Sequence, residues 1–426
     1  MSNNCENKKL KVGFIGLGGR GSGVCSDTFA DMVDMDVEIS AICDNFSDRV
    51  EAIADKLVGK NIPRPFCTTD YRDILNMESI DAVVILSSWA THVDIAVEAM
   101  EKGKYVGLEV GGVYALNDCW RLVETHERTG SQLMFLENCC YGDRELMALR
   151  MFREGVLGDV VHCSGSYSHD LREEITAGKD KRHYRLGNYI NRNCDTYPSH
   201  DVGPMMKILD INNGNRFVKL SSFASCAKGL KDYIKRHKEA DDPLQKLEFK
   251  QGDVINTVIT CSNGETVLLT LDTTLPRFYS REFTVRGTKG SYFGLCDAVF
   301  IEGEHDEFEG SSKGHNLFKN GNDYAKKYCH PLWDNYVPRG GHGGMDWHVF
   351  RAFVESAKKN ARPPIDIYDG VTMMCLTVLS EQSIERGGAP VDIPDFTRGK
   401  WYQRKDIDFD NPYNLDRPYP LADYVF

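Results

Sequence analysis

Three glycines, Gly16, Gly18 and Gly21, stand in the spacing G-x-G-x-x-G directly after an apolar run that begins at Val12. In that context the first glycine permits a tight turn, the second lets the main chain approach an anion, and the third lets the next helix pack close to the strand. The free N–H groups of that helix face the anion. Since a dinucleotide pyrophosphate is the anion that this pattern typically binds, the sequence predicts a dinucleotide site here.

An acidic residue follows at the spacing that such a site requires. The second apolar run, VEISAICD from Val37, ends in Asp44, and a carboxylate about 20 residues beyond the glycines typically accepts a hydrogen bond from a ribose 2′-hydroxyl. Because this carboxylate would repel a 2′-phosphate, Asp44 favours NAD over NADP. Arg49, one turn into the next helix, leaves that preference open: it either reaches an adenosine phosphate, stacks on the adenine or is solvated.

Strand and helix signals alternate through the first third of the chain. Further strands are predicted in DAVVILSS from Asp81, KYVGLE from Lys104 and QLMFLE from Gln132, with helices over residues 91–102 and after Ala115. This alternation predicts an α/β domain with a doubly wound parallel sheet of the Rossmann type. Ligands bind at the carboxyl ends of such strands, where the sequence places Ser87, Ser88, Trp89, His92, Glu109, Glu137 and Asn138.

The pattern changes at Tyr141 to a helix over residues 144–154 and then to long alternating strands, such as DVINTVITCSNGETVLLTLD. These predict a second, α+β domain with a large, mostly antiparallel sheet. We therefore expect an NAD-binding domain over residues 1–140 and a substrate domain over 141–426. Residues 228–252 and 303–344 are predicted to be long loops, and helices from Met345 and Asp369 to be amphipathic packing elements.

Composition agrees with a two-domain enzyme and excludes several classes of partner. The chain has 426 residues, of which 41% are apolar, and this length exceeds what one hydrophobic core usually serves. Its net charge of −12 leaves no broad basic surface for nucleic acid or anionic lipid. No window has the apolar length of a membrane span. The start, MSNNCENKK, lacks the apolar core of a signal peptide, so we expect a cytoplasmic protein; a removed export leader and a homo-oligomer stay open.

Neither the cysteines nor the histidines indicate a metal centre. The 14 cysteines include no C-x-x-C pair, which predicts reduced thiols rather than zinc ligands or a disulfide framework. His305, His315, His330 and His342 follow no known ligand spacing. We therefore expect no bound metal.

These motifs together carry a specific family resemblance. The chain resembles the Gfo/Idh/MocA family of nicotinamide-dependent sugar oxidoreductases and, within it, the NAD-dependent glycosidases of glycoside hydrolase family 109, whose typical activity is α-N-acetylgalactosaminidase. The similarity runs from about Lys11 to Thr397. It is carried by GLGGRG, WATH, LEV, LENCCYG, YSHDLR, YPSHDVGP, TLPRFYSR and GGHGGMD, of which YPSH and GGHGGMD discriminate better than the glycines.

The resemblance implies a cofactor site and a sugar site. The residues implied to bind NAD are Gly16, Gly18, Gly19, Arg20, Gly21, Asp44, Asn45, Arg49, Ser87, Trp89, His92, Glu109, Val110, Asn138 and Tyr197. Those implied to bind the sugar are Tyr167, Arg185, Tyr197, Pro198, Ser199, His200, Tyr279 and His342. His200 and Tyr167 are the implied proton-transfer groups at carbons 3 and 2, Tyr197 is counted with the catalytic residues, and Glu137 assists near the anomeric carbon; which group acts at which proton stays open.

One position departs from the family's dehydrogenases. They usually follow the glutamate at Glu109 with Lys-Pro, whose lysine is an acid/base, whereas this chain has Val110 and Gly111. Lys104 cannot replace that lysine, because five residues of extended strand separate it by roughly 16 Å. The glycosidases also lack the lysine, and their chemistry makes sense of a redox cofactor in a hydrolase. Oxidation at carbon 3 acidifies the proton at carbon 2, elimination and water addition follow, and the hydride returns.

Three functions compete at this point. An NAD-dependent glycosidase is favoured; the missing lysine argues against a sugar dehydrogenase with net turnover of NAD, and the Tyr and His residues of YSHDLR and YPSH argue against a non-catalytic sensor. A hydrolytic triad would need residues from separated segments, unlike the adjacent Ser199, His200 and Asp201. A two-carboxylate glycosidase would leave the dinucleotide site unexplained. Glu173 and Glu174 are expected to be a solvated surface pair.

Overall fold

The computed structural model describes residues 9–178, 181–304, 318–404 and 410–416, so His305 and His315 lie outside the described residues. The first part of the chain alternates strands and helices. Its elements are β1 (Leu10–Ile15), α1 (Gly19–Gly23), β2 (Val37–Cys43), α2 (Ser47–Gly59), β3 (Phe66–Thr68), α3 (Tyr71–Leu75), β4 (Ala82–Ile85), α4 (Trp89–Glu101), β5 (Tyr105–Leu108), α5 (Leu116–Thr129) and β6 (Leu133–Phe135).

These six strands form one parallel sheet in the order β3-β2-β1-β4-β5-β6. The apolar runs fill its buried centre; every residue of β4 and β5 is buried. The strand order reverses between β1 and β4, and a ligand of such a sheet binds beside that point at the carboxyl ends. The predicted doubly wound α/β sheet is thereby confirmed.

The second part of the chain builds a larger sheet. Its elements are α6 (Asp143–Arg153), β7 (Val160–Ser168), α7 (Arg172–Thr176), α8 (Arg185–Asn191), α9 (Ser199–Ile208), β8 (Phe217–Ala224), α10 (Gly229–His237), β9 (Val254–Cys261), β10 (Thr266–Asp272), β11 (Thr284–Gly287), β12 (Gly290–Phe293), β13 (Ala298–Ile301), β14 (Lys319–Asn320), α11 (Gly321–Lys327), α12 (Met345–Lys359), α13 (Ile367–Glu385) and β15 (Val391–Asp392).

Nine strands pair in the order β14-β13-β12-β11-β7-β10-β9-β8-β15. Only β7 and β10 are parallel neighbours; the remaining pairs are antiparallel, as the alternating pattern predicts. Strand β9 alternates buried and exposed residues, so one face of the sheet is covered and the other is open. This confirms the predicted α+β part of the fold.

Two late helices return to the first sheet. Phe350 of α12 packs edge-on against Phe29, with ring centroids 5.3 Å apart, and a Cβ at Gly107 of β5 would lie 2.9 Å from the ring of Phe353. On α13, Thr377 leaves no room for a side chain at Gly112. The segment after the large sheet therefore also builds the wall of the nucleotide-binding part.

Three local predictions are wrong. Residues 228–252 contain helix α10 rather than only a loop, because Leu230 and Ile234 lie one turn apart and are both buried among the charges. The described part of 303–344 contains β14 and α11, whose first turn is capped by the Asn320 side chain. Helix α13 is not amphipathic: residues 367–380 are all buried, since both halves of the molecule pack around it.

Candidate active site

The glycine loop after β1 has the geometry of a phosphate cradle. Gly16 adopts a positive φ of 97°, and a Cβ there would lie 2.5 Å from the main-chain nitrogen of Ser87. A Cβ at Gly21 would overlap the carbonyl oxygen of Gly16, whereas one at Gly18 would meet nothing closer than 3.6 Å. Gly16 and Gly21 thus serve close packing, and Gly18 keeps the main chain open to an anion. The loop fits a dinucleotide.

Asp44 ends β2 beside this loop. Its carboxylate accepts hydrogen bonds from the main-chain N–H groups of Leu17 and Phe46, at 2.8 and 3.0 Å. Arg49 lies 3.6 Å from the same carboxylate, and its guanidinium packs on the Phe46 ring at 4.8 Å. The carboxylate therefore fixes the loop and stands where a ribose hydroxyl would be bound, while Arg49 is held by Asp44 and Phe46.

Arg20 ties the glycine loop to the second half of the chain. Its Nε donates to Glu109 at 2.9 Å, and its two terminal nitrogens donate to both carboxylate oxygens of Asp346 on α12. Asn138 also donates to Asp346, at 2.8 Å. His342 lies 3.0 Å from Asp346 and 3.2 Å from Arg20. This network places His342 beside the cofactor loop, where it contacts Arg20 and Asp346 rather than the tyrosines implied to bind sugar.

The first turn of α4, which follows β4, brings the indole of Trp89 and the imidazole of His92 to the same edge. His92 hydrogen-bonds through Nε2 to the Ser87 carbonyl at 2.9 Å, and its buried Nδ1 has no partner. Burial lowers the pKa of His92 to about 4, so the ring is neutral. The Trp89 ring fills the space that a Cβ at Gly111 would need, which explains why this chain has glycine after Val110. Lys104 is remote from this edge, with Nζ bonded to the carbonyls of Met77 and Ile80.

Three side chains from two elements form an aromatic cluster facing this edge. Tyr167 ends β7, and Tyr197 directly precedes α9, which carries His200. The ring centroids of the two tyrosines lie 4.5 Å apart, and the His200 ring lies 5.4 Å from Tyr167 and 4.8 Å from Tyr197. Trp89 lies 5.6 Å from Tyr197. The carboxyl edge of the first sheet and the aromatic cluster of the second therefore meet.

His200 is oriented by a buried carboxylate. Its Nδ1 lies 2.7 Å from Oε1 of Glu137, which is fully buried and also accepts the N–H of Cys139. Burial raises the pKa of Glu137, but His200 together with the hydrogen bonds from Cys139 and Ser199 brings it below its usual value. The role of Glu137 near the anomeric carbon stays a prediction; the contact that the structure shows is with His200. The arrangement leaves Nε2 of His200 available for proton transfer.

Among the described residues, Glu137, Cys139 and His200 also form the one group with potential metal-ligand atoms within 4.8 Å of one another. Two of the three are already hydrogen-bonded to each other. Burial raises the pKa of the Cys139 thiol well above its usual value. Cys139 is therefore a neutral thiol, which is a poor metal ligand. The short distance between Glu137 and His200 is that of a hydrogen bond between the two side chains.

His169 contacts Tyr167, and Tyr279 packs on His169. His169 was not singled out from the sequence, although it stands two positions further in the same YSHDLR motif; its Nδ1 lies 3.3 Å from the Tyr167 hydroxyl. Tyr279, about half exposed, packs on His169 with centroids 5.2 Å apart. The sequence-predicted residues Pro198 and Ser199 are buried at the start of α9, where they shape the turn that presents His200.

Arg185 begins α8 and is buried among aromatic rings. Its guanidinium lies 5.2 Å from the ring centroids of both Trp89 and Tyr197. Its Nε lies 3.1 Å from a carboxylate oxygen of Glu174. The Glu173 side chain is solvated as predicted, whereas that of Glu174 is 42% exposed and also pairs with Arg185, because α7 and α8 pack together.

Two buried carboxyl groups flank the Tyr197–His200 turn. Asp195 accepts the N–H of Tyr197 at 3.2 Å through Oδ1, and its Oδ2 has no partner. Burial raises the pKa of Asp195 to about 7. Burial, with the neighbouring Asp195, also raises the pKa of Asp201 well above its usual value. Both groups are therefore largely protonated in the folded protein at weakly acidic pH.

This pair gives folding a defined pH dependence, which Asp195→Asn is expected to weaken. The pair keeps a proton in the folded protein that the unfolded chain loses above about pH 4, so its contribution to the free energy of unfolding falls as pH rises from about 4 to 7, by at most about 1.4 kcal/mol per pH unit for one proton. Urea unfolding at several pH values measures this slope. Asp241→Asn, at an exposed carboxyl, is the control, and equal slopes for wild type and Asp195→Asn would refute the interpretation.

Comparison with known proteins agrees with this geometry. Residues 10–136 match the oxidoreductase family with an NAD-binding Rossmann fold, and residues 141–403 match the glycosyl hydrolase 109 C-terminal domain. The α-N-acetylgalactosaminidases of Tannerella forsythia and Shewanella oneidensis are 37% and 35% identical to the chain. Each alignment covers 93% of this chain, with 88% and 87% of the respective relative. A glycosyl hydrolase family 109 protein of Stenotrophomonas maltophilia is 37% identical, over 95% of this chain and 93% of the relative.

Solved structures show the same fold in more distant proteins. A levoglucosan dehydrogenase in complex with NADH and levoglucosan has a TM-score of 0.69 at 17% identity, covering 91% of this chain and all of that one. An inositol dehydrogenase homolog from Azotobacter vinelandii, in complex with NADH and myo-inositol, has a TM-score of 0.62 at 17% identity and covers 91% of this chain and 98% of that one.

The fold and the glycine loop thus define a Gfo/Idh/MocA-type protein with an NAD-binding Rossmann domain, and NAD is its cofactor. The second part of the chain identifies a narrower family. The chain belongs to glycosyl hydrolase family 109, as the motifs predict, and is an enzyme of that glycosidase family. No helix in the described ranges is long and apolar enough to cross a membrane.

Proposed function

We propose that this enzyme hydrolyses α-linked N-acetylgalactosamine from small-molecule carbohydrates, with NAD held through the turnover. The observation that carries the proposal is the meeting of the nucleotide edge with the cluster of Tyr167, Tyr197 and His200, at an edge where Val110 stands in place of the dehydrogenase lysine. Family 109 relatives that carry the name α-N-acetylgalactosaminidase support the choice of sugar.

We assign the two halves of the chain different tasks. Residues 1–140 would hold NAD: the glycine loop at the pyrophosphate, Asp44 at the adenosine ribose, and the Ser87, Trp89 and Glu109 loops at the nicotinamide side. Residues 141–426 would supply the sugar-binding side chains. When bound, NAD supplies reversible hydride removal from the sugar, which acidifies the neighbouring C–H bond.

The protein's own groups then move the protons. Tyr167 would take the proton from carbon 2, and His200, held through Nδ1 by Glu137, would exchange a proton with the carbon 3 hydroxyl. Burial raises the pKa of Tyr167, and burial lowers the pKa of His169, so at neutral pH the phenol is protonated and His169 is neutral. His169 can therefore accept the phenol proton across their 3.3 Å contact.

A cytoplasmic setting completes the proposal. The cysteines in the described ranges are free thiols, and most are buried, which is the usual state in a reducing compartment. The sequence predicts neither a nucleic-acid partner nor a bound metal for this enzyme.

The proposed activity is tested with a panel of nitrophenyl glycosides, with and without added NAD. We expect nitrophenol release from the α-N-acetylgalactosaminide without accumulation of NADH, because the hydride returns within each turnover. NADH formed in proportion to the substrate consumed would instead identify a sugar dehydrogenase. Absence of cleavage with every glycoside would reject the proposal.

A further inference from the structure

Glu174 differs from its neighbour in what it contacts. On the short helix α7, the Glu173 side chain is 83% exposed and lies 4.0 Å from Lys181. The Glu174 side chain is 42% exposed, and its Oε1 lies 3.1 Å from Nε2 of His183 and 3.1 Å from Nε of Arg185. Two adjacent glutamates therefore have different surroundings, and only one reaches the sugar site.

Arg185 needs such a partner. Its side chain is only 13% exposed, and two aromatic rings flank its guanidinium. Within the described residues, Glu174 is the carboxylate that pairs with it. A buried guanidinium without an anion is strongly unfavourable, so Glu174 both neutralises Arg185 and limits where it can point.

We propose that Glu174 is a positioning residue of the sugar site: it holds the Arg185 guanidinium against the rings of Trp89 and Tyr197, next to Tyr167, and offsets part of its positive charge. The inference rests on the proposed function, in which Tyr167 takes the proton from carbon 2. It adds a residue that acts through Arg185 and does not itself touch the sugar.

The charges around Tyr167 determine in which direction Glu174 shifts its pKa. Burial raises the pKa of Tyr167, Arg185 lowers it, and Glu174 raises it. The hydrogen bond with His183 brings the pKa of Glu174 down to about 2, so Glu174 is ionised throughout the working range. The other polar groups that face Tyr167 are Cys139, His169, Tyr189, Tyr197, His200 and Tyr279.

Glu174→Gln isolates the charge, because glutamine keeps the shape and an acceptor oxygen. Tyr167 then senses more of the Arg185 charge, and we expect its titration to move to lower pH by roughly half a unit, a small shift because solvent screens the half-exposed Glu174. The direct measurement is the alkaline absorbance titration of phenolate, taken as the difference between each protein and its Tyr167→Phe derivative. Glu173→Gln is the matched control and should leave the titration where it is.

Arg185→Gln should shift the titration of Tyr167 in the opposite direction. It removes the positive charge, so the Tyr167 titration should move to higher pH, whereas general damage to the fold would move both variants alike. The same shifts should appear in the pH profile of hydrogen exchange at carbon 2 of the sugar. An equal shift for Glu174→Gln and Glu173→Gln, or none for Glu174→Gln, would overturn the inference. If wild type does not exchange that hydrogen, the proposed function fails, and the absorbance titration still decides the role of Glu174.

Discussion

His200→Ala is expected to lower glycoside cleavage by about 10²–10⁴-fold, the usual contribution of a positioned acid/base group. His200 is buried, and its Nδ1 lies 2.7 Å from Glu137, so the ring is held in one orientation that alanine cannot reproduce. Tyr167→Phe should cause a loss of similar size, because it removes the hydroxyl and leaves the ring packing. Cleavage rates with saturating substrate measure both effects.

The same variants should still fold and bind NAD, which calorimetry and thermal unfolding report. His162→Ala is a suitable control, because this half-buried histidine on β7 hydrogen-bonds Thr266 and is not part of the candidate site. If both His200→Ala and Tyr167→Phe cleave the glycoside at nearly the wild-type rate while His162→Ala does too, the cluster has no part in proton transfer.

Gly21→Ala is expected to abolish detectable NAD binding. The added Cβ would overlap the carbonyl oxygen of Gly16, a main-chain atom that cannot move without opening the turn that receives the pyrophosphate. Forcing atoms into such a packed position typically costs about 1–3 kcal/mol in stability or more, so the melting temperature should fall as well. Calorimetric titration with NAD and thermal unfolding measure the two effects.

Gly23→Ala, at the end of α1, is the matched control. A Cβ at Gly23 meets nothing within 4 Å, so this variant should keep its stability and its NAD binding. Normal NAD binding by Gly21→Ala would show that the loop geometry is not that of a dinucleotide cradle.

Much of the fold could be predicted because its signals are local. The glycine spacing, the apolar strand runs and the alternating strands each lie within about 20 residues, and the structure confirms both sheets. The return of α12 and α13 onto the first sheet could not be predicted in this way, since Phe29 and Phe350 are far apart in sequence. Helix α10 was missed because its two apolar residues stand among charges.

In the candidate site, too, some features follow from local sequence and others depend on contacts between distant residues. Motif resemblance placed Tyr167, Tyr197 and His200 in one group, and the structure brings them together. The contacts that explain them are not visible in the motifs. The Glu137–His200 hydrogen bond spans 63 residues, and Gly111 makes sense only once the Trp89 ring is seen against it. His169 could have been found from its place in the YSHDLR motif.

The central claim is that a bond to carbon 2 of the sugar breaks during hydrolysis, and heavy water tests it most directly. The sugar released in heavy water should carry deuterium at carbon 2, without net NADH, because the proton removed there is replaced from solvent before release. Mass spectrometry and NMR of the product locate the label. A conventional two-carboxylate glycosidase never breaks that bond, so a product with only hydrogen at carbon 2 would contradict the account even if the glycoside were cleaved.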